Sequence, residues 1–221
     1  MERKGLHVPA GISVLSAVLF GWLAHTVAGE PAGGFDLAVR GLVHSCASPT
    51  LTLAMRGITL LGSTIFLVLL GGCVAWFLTA KRMGRAALLL AVAALGGELL
   101  DQALKLLFAR PRPEPFFGLE QLETYSFPSG HSMASACFFG ALAMIAAGQA
   151  RSRGRRCAIW LAAAVVIGLI GLSRVYLGMH YPTDVVGGYL GAVAWLALIH
   201  MLMGRSRDRS TSPPAPPAFP P

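Results

Sequence analysis

The first group of residues suited to chemistry lies near residue 105. Asp101 and Lys105 are four positions apart, so they can form an ion pair on one face of a helix. Arg112 follows seven positions after Lys105, and Pro111 and Pro113 are expected to end that helix. We therefore expect two cations, Lys105 and Arg112, to converge beyond the helix end. A structural Asp101–Lys105 pair is the alternative.

The second group is the tetrapeptide Pro128-Ser129-Gly130-His131, which stands where an apolar run begins. A helix N-terminus presents free backbone N–H groups and a positive dipole end, and together these bind anions. Ser129 is expected to cap the helix, Gly130 lets a ligand approach the backbone, and His131 can give or take a proton. Taken alone, the tetrapeptide is equally explained as a capped helix start.

The third group is Ser173-Arg174 followed by His180 and Asp184. His180 and Asp184 are four positions apart, a spacing at which the carboxylate can accept the Nδ1–H of the imidazole. That contact leaves Nε2 free to act as a nucleophile or a base. A helix cap is the alternative interpretation of this pair.

Together the three groups supply three cations, two histidines and one helix N-terminus. Three fixed cations suit a phosphoryl group, whose transition state spreads charge over three equatorial oxygens. One histidine could attack phosphorus while the other protonates the leaving oxygen. Acidic residues near these groups are scattered, so we expect no metal and no other cofactor, and the cations would replace Mg²⁺. The acids concerned are Glu114, Glu120 and Glu123.

The composition indicates that these groups are carried by membrane helices. Of 221 residues, 55% are hydrophobic and only 13% are charged, which excludes a disordered chain and a coiled coil. A bilayer core of about 30 Å needs roughly 20 apolar residues per helix, and six such runs occur without period-2 alternation. We therefore predict an all-α bundle of six transmembrane helices, at 8–28, 57–80, 84–108, 129–148, 158–179 and 185–204.

The remaining segments are assigned by composition. The first run resembles a cleaved signal peptide in having Arg3 and Lys4 before it, but its length favours a retained helix. Residues 33–49 are expected to form a short helix on the membrane surface, or else a plain loop. The membrane domain is predicted to occupy 1–204, with its motifs in 105–184, and residues 205–221 a disordered cytoplasmic tail.

The basic residues predict the orientation. A net charge of +8 could indicate nucleic-acid binding, but in a membrane protein basic residues gather in cytoplasmic loops, so no nucleic-acid partner is expected. The positive-inside rule makes both termini cytoplasmic and directs 109–128 and 180–184 outward. Arg40, Arg56, Arg110 and Arg112 lie on the outer side. Twelve basic residues lie on the inner side: Arg3, Lys4, Lys81, Arg82, Arg85, Arg151, Arg153, Arg155, Arg156, Arg205, Arg207 and Arg209.

These three groups resemble the three signature motifs of the type 2 phosphatidic acid phosphatase superfamily. The matching patterns are Lys105-x6-Arg112-Pro113, then Pro128-Ser129-Gly130-His131, then Ser173-Arg174-x5-His180-x3-Asp184, in the order of the family. The resemblance implies that His180 is the nucleophile and forms a phosphohistidine, that Asp184 orients it, and that His131 protonates the leaving group. It further implies a phosphate site made by Lys105, Arg112, Ser129, Gly130 and Arg174, with no metal.

The resemblance implies a multi-pass enzyme of a bacterial-type cell membrane that hydrolyses a lipid phosphate at the extracytoplasmic surface. Polyprenyl diphosphate, phosphatidic acid and phosphatidylglycerophosphate are the expected substrates, and we favour polyprenyl diphosphate. Two alternatives stay open at this point. The site could transfer its phosphate to a second lipid, or the intramembrane charges could line the path of a transporter or channel.

Overall fold

The computed structural model of the chain describes residues 4–28 and 32–210, with side chains described for 7–28 and 32–203. Within these ranges the chain forms eight α-helices and no β-strand, which confirms the predicted all-α class. In chain order the helices are α1 (Lys4–Ala28), α2 (Gly34–Ser45), α3 (Pro49–Leu60), α4 (Thr64–Ala80), α5 (Gly84–Phe108), α6 (Gly130–Gln149), α7 (Arg153–Tyr176) and α8 (Pro182–Ser210).

Five of the helices, α1, α5, α6, α7 and α8, are each long and apolar enough to cross a membrane. They match five of the predicted runs to within a few residues. At 1.5 Å per residue the 25 residues of α5 extend for about 38 Å, which is enough to span the hydrocarbon core with an end projecting. Its outer face carries exposed side chains such as Leu95, Leu99 and Leu106, as expected for a surface whose solvent is lipid.

The remaining predicted run, 57–80, falls in a bent pair of helices and is not one continuous span. α3 and α4 meet at 50° across a short break. Gly62 lies in that break, where a Cβ would come within 2.6 Å of the Ile170 side chain and 3.3 Å of the His131 ring. Ser63 then caps α4 by accepting a hydrogen bond from the Phe66 N–H at 3.3 Å. The chain bends because α6 and α7 approach it so closely, which a hydropathy pattern does not record.

α6 lies at the centre of the bundle and packs against α5, α7 and α8. Its inward face is almost wholly buried and includes Met133, Cys137 and Ala141. α8 approaches the first turn of α6 closely at Gly188, where a Cβ would lie 2.8 Å from the Ser129 carbonyl oxygen and 3.0 Å from the Met133 nitrogen. This backbone contact sets the start of α6 beside the start of α8.

The peripheral segments also take up helical structure. The predicted short helix within 33–49 is present as α2, so the alternative of a plain loop is wrong. α1 packs along α8, where the Ser13 hydroxyl donates to the Ala194 carbonyl at 3.0 Å. α8 continues to Ser210, six residues past the predicted limit of the membrane domain, and the rest of the predicted tail, 211–221, lies outside the described residues.

Candidate active site

The three sequence groups meet at one end of the bundle. α5 and α7 end there and α6 and α8 begin there, because consecutive helices run in opposite directions. α5 stops at Phe108, and Ala109 adopts a left-handed conformation with φ of 45°, so the chain turns away before Arg112, as Pro111 and Pro113 predicted. Every predicted site residue lies at this end: Lys105, Arg112, Ser129, Gly130, His131, Arg174, His180 and Asp184.

His180 is held between a cation and a carboxylate. Arg112 Nη1 lies 3.1 Å from His180 Nε2 and also donates to the Met179 carbonyl at 3.0 Å. A guanidinium can only donate, so this contact needs the lone pair of Nε2 and assigns the ring proton to Nδ1. Nδ1 faces Asp184 Oδ2 at 3.5 Å, which is too long for the predicted hydrogen bond, and Nδ1 has no other hydrogen-bond partner among the described residues.

Burial determines the charge of His180. The side chain is almost wholly buried, and this desolvation lowers the pKa of His180 to about 4. The Asp184 carboxylate opposes the shift, while the Arg174 and Arg112 guanidinium groups add to it. The imidazole is therefore neutral at pH 7, with its Nε2 lone pair turned toward Arg112.

Asp184 is bound more extensively than the sequence indicated. Its Oδ1 accepts from Arg110 Nη1 at 2.6 Å, and its Oδ2 accepts from the Ser126 hydroxyl at 2.6 Å and from the Tyr181 N–H at 2.8 Å. Both carboxylate oxygens are thus engaged by groups other than His180. Neither Arg110 nor Ser126 was among the predicted site residues.

Arg110 in turn reaches a residue far away in the sequence. Its Nη2 donates to Asp36 Oδ2 of α2 at 2.7 Å, and its guanidinium lies over the Tyr181 ring, 4.3 Å from the centroid. Asp36 also accepts from the Thr183 N–H at 3.0 Å and the Thr183 hydroxyl at 2.7 Å. The sequence held two weak signals for these residues. Asp36 is an acid within an amphipathic segment, and Arg110 is a second arginine two positions before the motif residue Arg112.

The predicted cations have separate partners. Lys105 pairs with Asp101, as its spacing predicted, and the pair lies against Gly130, where a Cβ would be 2.7 Å from Lys105 Nζ. Arg174 is buried and donates from Nη1 to the Thr59 hydroxyl at 2.9 Å. Its Nε has no hydrogen-bond partner among the described residues. Within the described side chains, no three His, Cys, Asp or Glu residues are grouped to hold a metal ion.

The first turn of α6 completes the site, with one correction. His131 is the second residue of α6 and lies within electrostatic range of both His180 and the cations Arg174, Lys105 and Arg112. The expected side-chain cap by Ser129 is wrong: its hydroxyl accepts from the Ser132 hydroxyl at 3.1 Å, and its own N–H donates to the Asp184 carbonyl at 3.0 Å. With no side-chain cap, the first-turn N–H groups remain suited to an anion.

Comparisons with known proteins match this arrangement. Residues 86–208 match the family model of the PAP2 superfamily. Phosphatidylglycerophosphatase B of Bacillus subtilis (strain 168) is 34% identical over 155 residues, covering 70% of this chain and 76% of the relative. Undecaprenyl-diphosphatase of Sulfolobus acidocaldarius is 28% identical over 152 residues, covering 64% of this chain and 69% of the relative.

A solved structure gives the same result for the fold. The crystal structure of a transmembrane PAP2 type phosphatidylglycerolphosphate phosphatase from Bacillus subtilis superposes with a TM-score of 0.79 at 29% identity, covering 90% of this chain and 97% of the other. The family model alone spans more than half of the 221 residues, and it contains all three motifs with the histidines and cations gathered above. The chain therefore belongs to the PAP2 superfamily and is a membrane-bound phosphatase.

Proposed function

We propose that this enzyme removes phosphate from a phosphorylated membrane lipid through a phosphohistidine formed on His180. The observation that carries the proposal is the contact of His180 Nε2 with Arg112 at 3.1 Å. Arg112 Nη1 occupies the lone pair on Nε2 of the buried, neutral His180 imidazole. A substrate phosphate that binds the Arg112 guanidinium in place of that contact would lie directly in front of Nε2.

In the first step Nε2 of His180 attacks phosphorus, and the P–O bond to the lipid breaks. The leaving oxygen takes a proton from His131, on the first turn of α6. His131 must enter this step as the imidazolium, a charged form that the bound phosphate anion beside it favours. The imidazole that has attacked carries positive charge, which Asp184 stabilises across the 3.5 Å to Nδ1. The products of this step are the dephosphorylated lipid and a phosphorylated His180.

In the second step a water molecule attacks the same phosphorus. His131, deprotonated by the first step, accepts a proton from that water, the P–N bond breaks, and inorganic phosphate leaves. His180 and His131 then return to their starting states. The atoms and protons balance over the cycle, because one water is consumed for each phosphate released.

The cations hold the phosphate oxygens throughout. Lys105, Arg112 and Arg174 supply three positive charges, and the N–H groups beginning at Gly130 add backbone donors. Arg174 supports this role because its buried Nε lacks a hydrogen-bond partner among the described residues, and an unsatisfied buried donor is costly unless a ligand uses it. Ser129 contributes by fixing the start of α6 onto Asp184 through its backbone N–H.

The site faces the extracytoplasmic side in this proposal, and both termini face the cytoplasm of a bacterial-type cell. Support comes from the basic residues: the connections and first helical turns at the opposite end of the bundle, 81–85 and 151–156, carry Lys81, Arg82 and Arg85 and four further arginines. The site end has fewer loop cations, and Arg110 and Arg112 are bound to Asp184 and His180.

A groove between α4 and α5 supports entry of the lipid from the side. It has a volume of about 280 Å³ and is lined mainly by apolar side chains, including Leu67, Leu90 and Phe138. Thr64, at the start of α4, also lines it, two residues from the Gly62 that packs on His131. A hydrocarbon chain lying in this groove would bring its head group to the site without leaving the bilayer.

The extent of the similarities makes phosphatidylglycerophosphate the first candidate substrate. A solved Bacillus subtilis structure named for that substrate is matched over 97% of its chain, and phosphatidylglycerophosphatase B of the same species over 76% of its length. Polyprenyl diphosphate, which the sequence analysis favoured, is the second candidate and is supported by the Sulfolobus relative named for undecaprenyl diphosphate. Phosphatidic acid stays a third prediction.

The test is release of free phosphate by the purified full chain in detergent from each of these three lipids, in excess EDTA. We expect turnover of at least one lipid in EDTA, lower KM for long-chain than for short-chain forms of it, and loss of kcat by roughly a thousandfold or more in His180→Ala. The variant's thermal unfolding and gel-filtration profile serve as controls for folding.

Three other results would contradict the proposal. Strict dependence on an acceptor lipid would indicate a phosphotransferase. Phosphate flux through liposomes without hydrolysis would indicate a transporter. Complete loss of activity in EDTA, restored by Mg²⁺, would show that the cationic side chains do not replace a metal.

A further inference from the structure

A buried row of alternating charges lies behind His180. Arg110 stands in the middle, with Nη1 2.6 Å from Asp184 Oδ1 and Nη2 2.7 Å from Asp36 Oδ2. All three side chains are at most 2% exposed. One guanidinium therefore neutralises two buried carboxylates, and only one of them, Asp184, faces His180.

The row joins three elements that are distant in the sequence. Asp36 lies in the first turn of α2, Arg110 follows the end of α5, and Asp184 lies in the first turn of α8. Thr183, the chain neighbour of Asp184, donates both its N–H and its hydroxyl to Asp36. The Arg110 carbonyl accepts from the Ser126 N–H at 2.9 Å, and the Ser126 hydroxyl donates to Asp184. Ser126 therefore connects the Arg110 backbone to the Asp184 carboxylate.

We propose that Asp36 and Arg110 are positioning residues for the reaction, with Asp36 acting on Asp184 chiefly through Arg110. Arg110 fixes the carboxylate of Asp184 in the plane and charge state needed to face Nδ1 of His180, and Asp36 fixes Arg110. This inference rests on the proposed role of His180 as nucleophile. Asp36 lies outside residues 86–208, the part of the chain that the family model covers.

The charges predict how the two residues depend on each other. Without Arg110, two carboxylates stay buried beside each other with no cation between them, which is strongly unfavourable. Without Asp36, Arg110 still pairs with the Asp184 carboxylate but loses the hydrogen bond through Nη2 that orients its guanidinium. Removing Asp36 when Arg110 is already absent relieves one uncompensated charge, so the second substitution should not add a further loss.

A double-mutant cycle tests this dependence. The parent, Asp36→Asn, Arg110→Met and the double variant are purified in detergent, and kcat and KM are measured with phosphatidylglycerophosphate. We expect kcat to fall about tenfold in Asp36→Asn and about a hundredfold in Arg110→Met. In the double variant we expect kcat equal to or above that of Arg110→Met. KM should change less than about threefold, because neither side chain reaches the phosphate.

Arg40→Gln is the matched control. Arg40 lies on the same helix α2 and donates from Nη2 to the Glu114 carbonyl at 2.6 Å and to the Gly178 carbonyl at 3.4 Å. It therefore also ties α2 to the outer loops, with no hydrogen bond or ion pair to Asp36 or Asp184 among the described contacts. Its loss should leave kcat within about twofold of the parent. If Arg110→Met does not fold, Arg110→Lys takes its place in the cycle. The lysine ammonium lacks the rigid planar fork with which Arg110 orients both carboxylates, so Asp36→Asn is again expected to cause no further loss.

Additive losses of about a thousandfold in the double variant would overturn the inference, as would an Arg40→Gln loss equal to that of Asp36→Asn. Either result would show that α2 packs against the site end of the bundle without positioning Asp184. His180→Ala is measured in the same series. Turnover in that variant would instead overturn the phosphohistidine, so failure of the proposed function and failure of the positioning role give different results.

Discussion

At the scale of single residues, the contact between Arg112 and His180 orients the imidazole that we propose as the nucleophile. Sequence spacing predicted the His180–Asp184 pair and the three cations, since four-residue spacings and motif order are visible in the chain. It did not predict Arg110 and Asp36. Their ion pair joins positions 74 residues apart, and such a pair depends on how α2 docks onto α8, which no local pattern contains.

The lowered pKa of His180 predicts an unusual pH profile. Attack requires the neutral ring, and burial lowers the pKa of His180 to about 4 from an ordinary value near 6.5. We therefore expect kcat/KM to stay high down to about pH 5 and to fall on the acid side with a midpoint near pH 4. Steady-state rates measured between pH 3.5 and 8 test this.

Stability provides the control for that profile, and its sign follows from linkage. In the unfolded chain His180 takes up a proton below about pH 6.5, while in the folded chain it does so only below about pH 4. Protons thus favour unfolding in this window, and the melting temperature should fall as the pH drops through it. An acid midpoint of kcat/KM near 6.5 in protein that is still folded would contradict the assignment.

At the scale of helices, the first turn of α6 is positioned by its contact with α8. Hydropathy predicted most helices well, because length and apolar content suffice to recognise a span. It missed the bend between α3 and α4, since that bend comes from the close approach of His131 and Ile170 to Gly62. Helix contacts of this kind depend on residue size at one position and not on average hydropathy.

Gly188→Ala tests the contact between α6 and α8. The added methyl would meet backbone atoms, the Ser129 carbonyl oxygen at 2.8 Å and the Met133 nitrogen at 3.0 Å, which cannot rotate away. We expect a loss of about 1–3 kcal/mol in the free energy of unfolding. A marked fall in kcat should accompany it, because the start of α6 shifts. Thermal unfolding and phosphate release measure the two effects.

Gly191→Ala is the matched control one turn further along α8. A Cβ there would meet the flexible end of Met133 at 3.4 Å, which is ordinary contact. This variant should keep near-parent stability and activity. Equal damage in both variants would show that α8 tolerates no side chain on this face, and the specific contact with the first turn of α6 would lose its support.

At the scale of the whole molecule, the two ends of the bundle have different chemistry. One end gathers His131, His180, Asp184 and the three predicted cations, while the segments at the other end carry basic residues spread along the chain. Composition was enough to predict a membrane protein, and the positions of the three motifs between the predicted spans were enough to place them at one end of the bundle. The position of the α4–α5 groove relative to His131 could not be predicted, because it depends on the bent start of α4.

The phosphoenzyme itself tests the central claim most directly. Labelled phosphatidylglycerophosphate is mixed rapidly with the full chain, and the reaction is quenched in alkaline detergent, in which phosphohistidine survives. Mass spectrometry then locates the phosphoryl group. The account predicts a phosphoryl group on His180 that forms and decays at rates compatible with kcat and is absent in His180→Ala. A phosphoryl group on another residue, or unchanged turnover in His180→Ala, would contradict it.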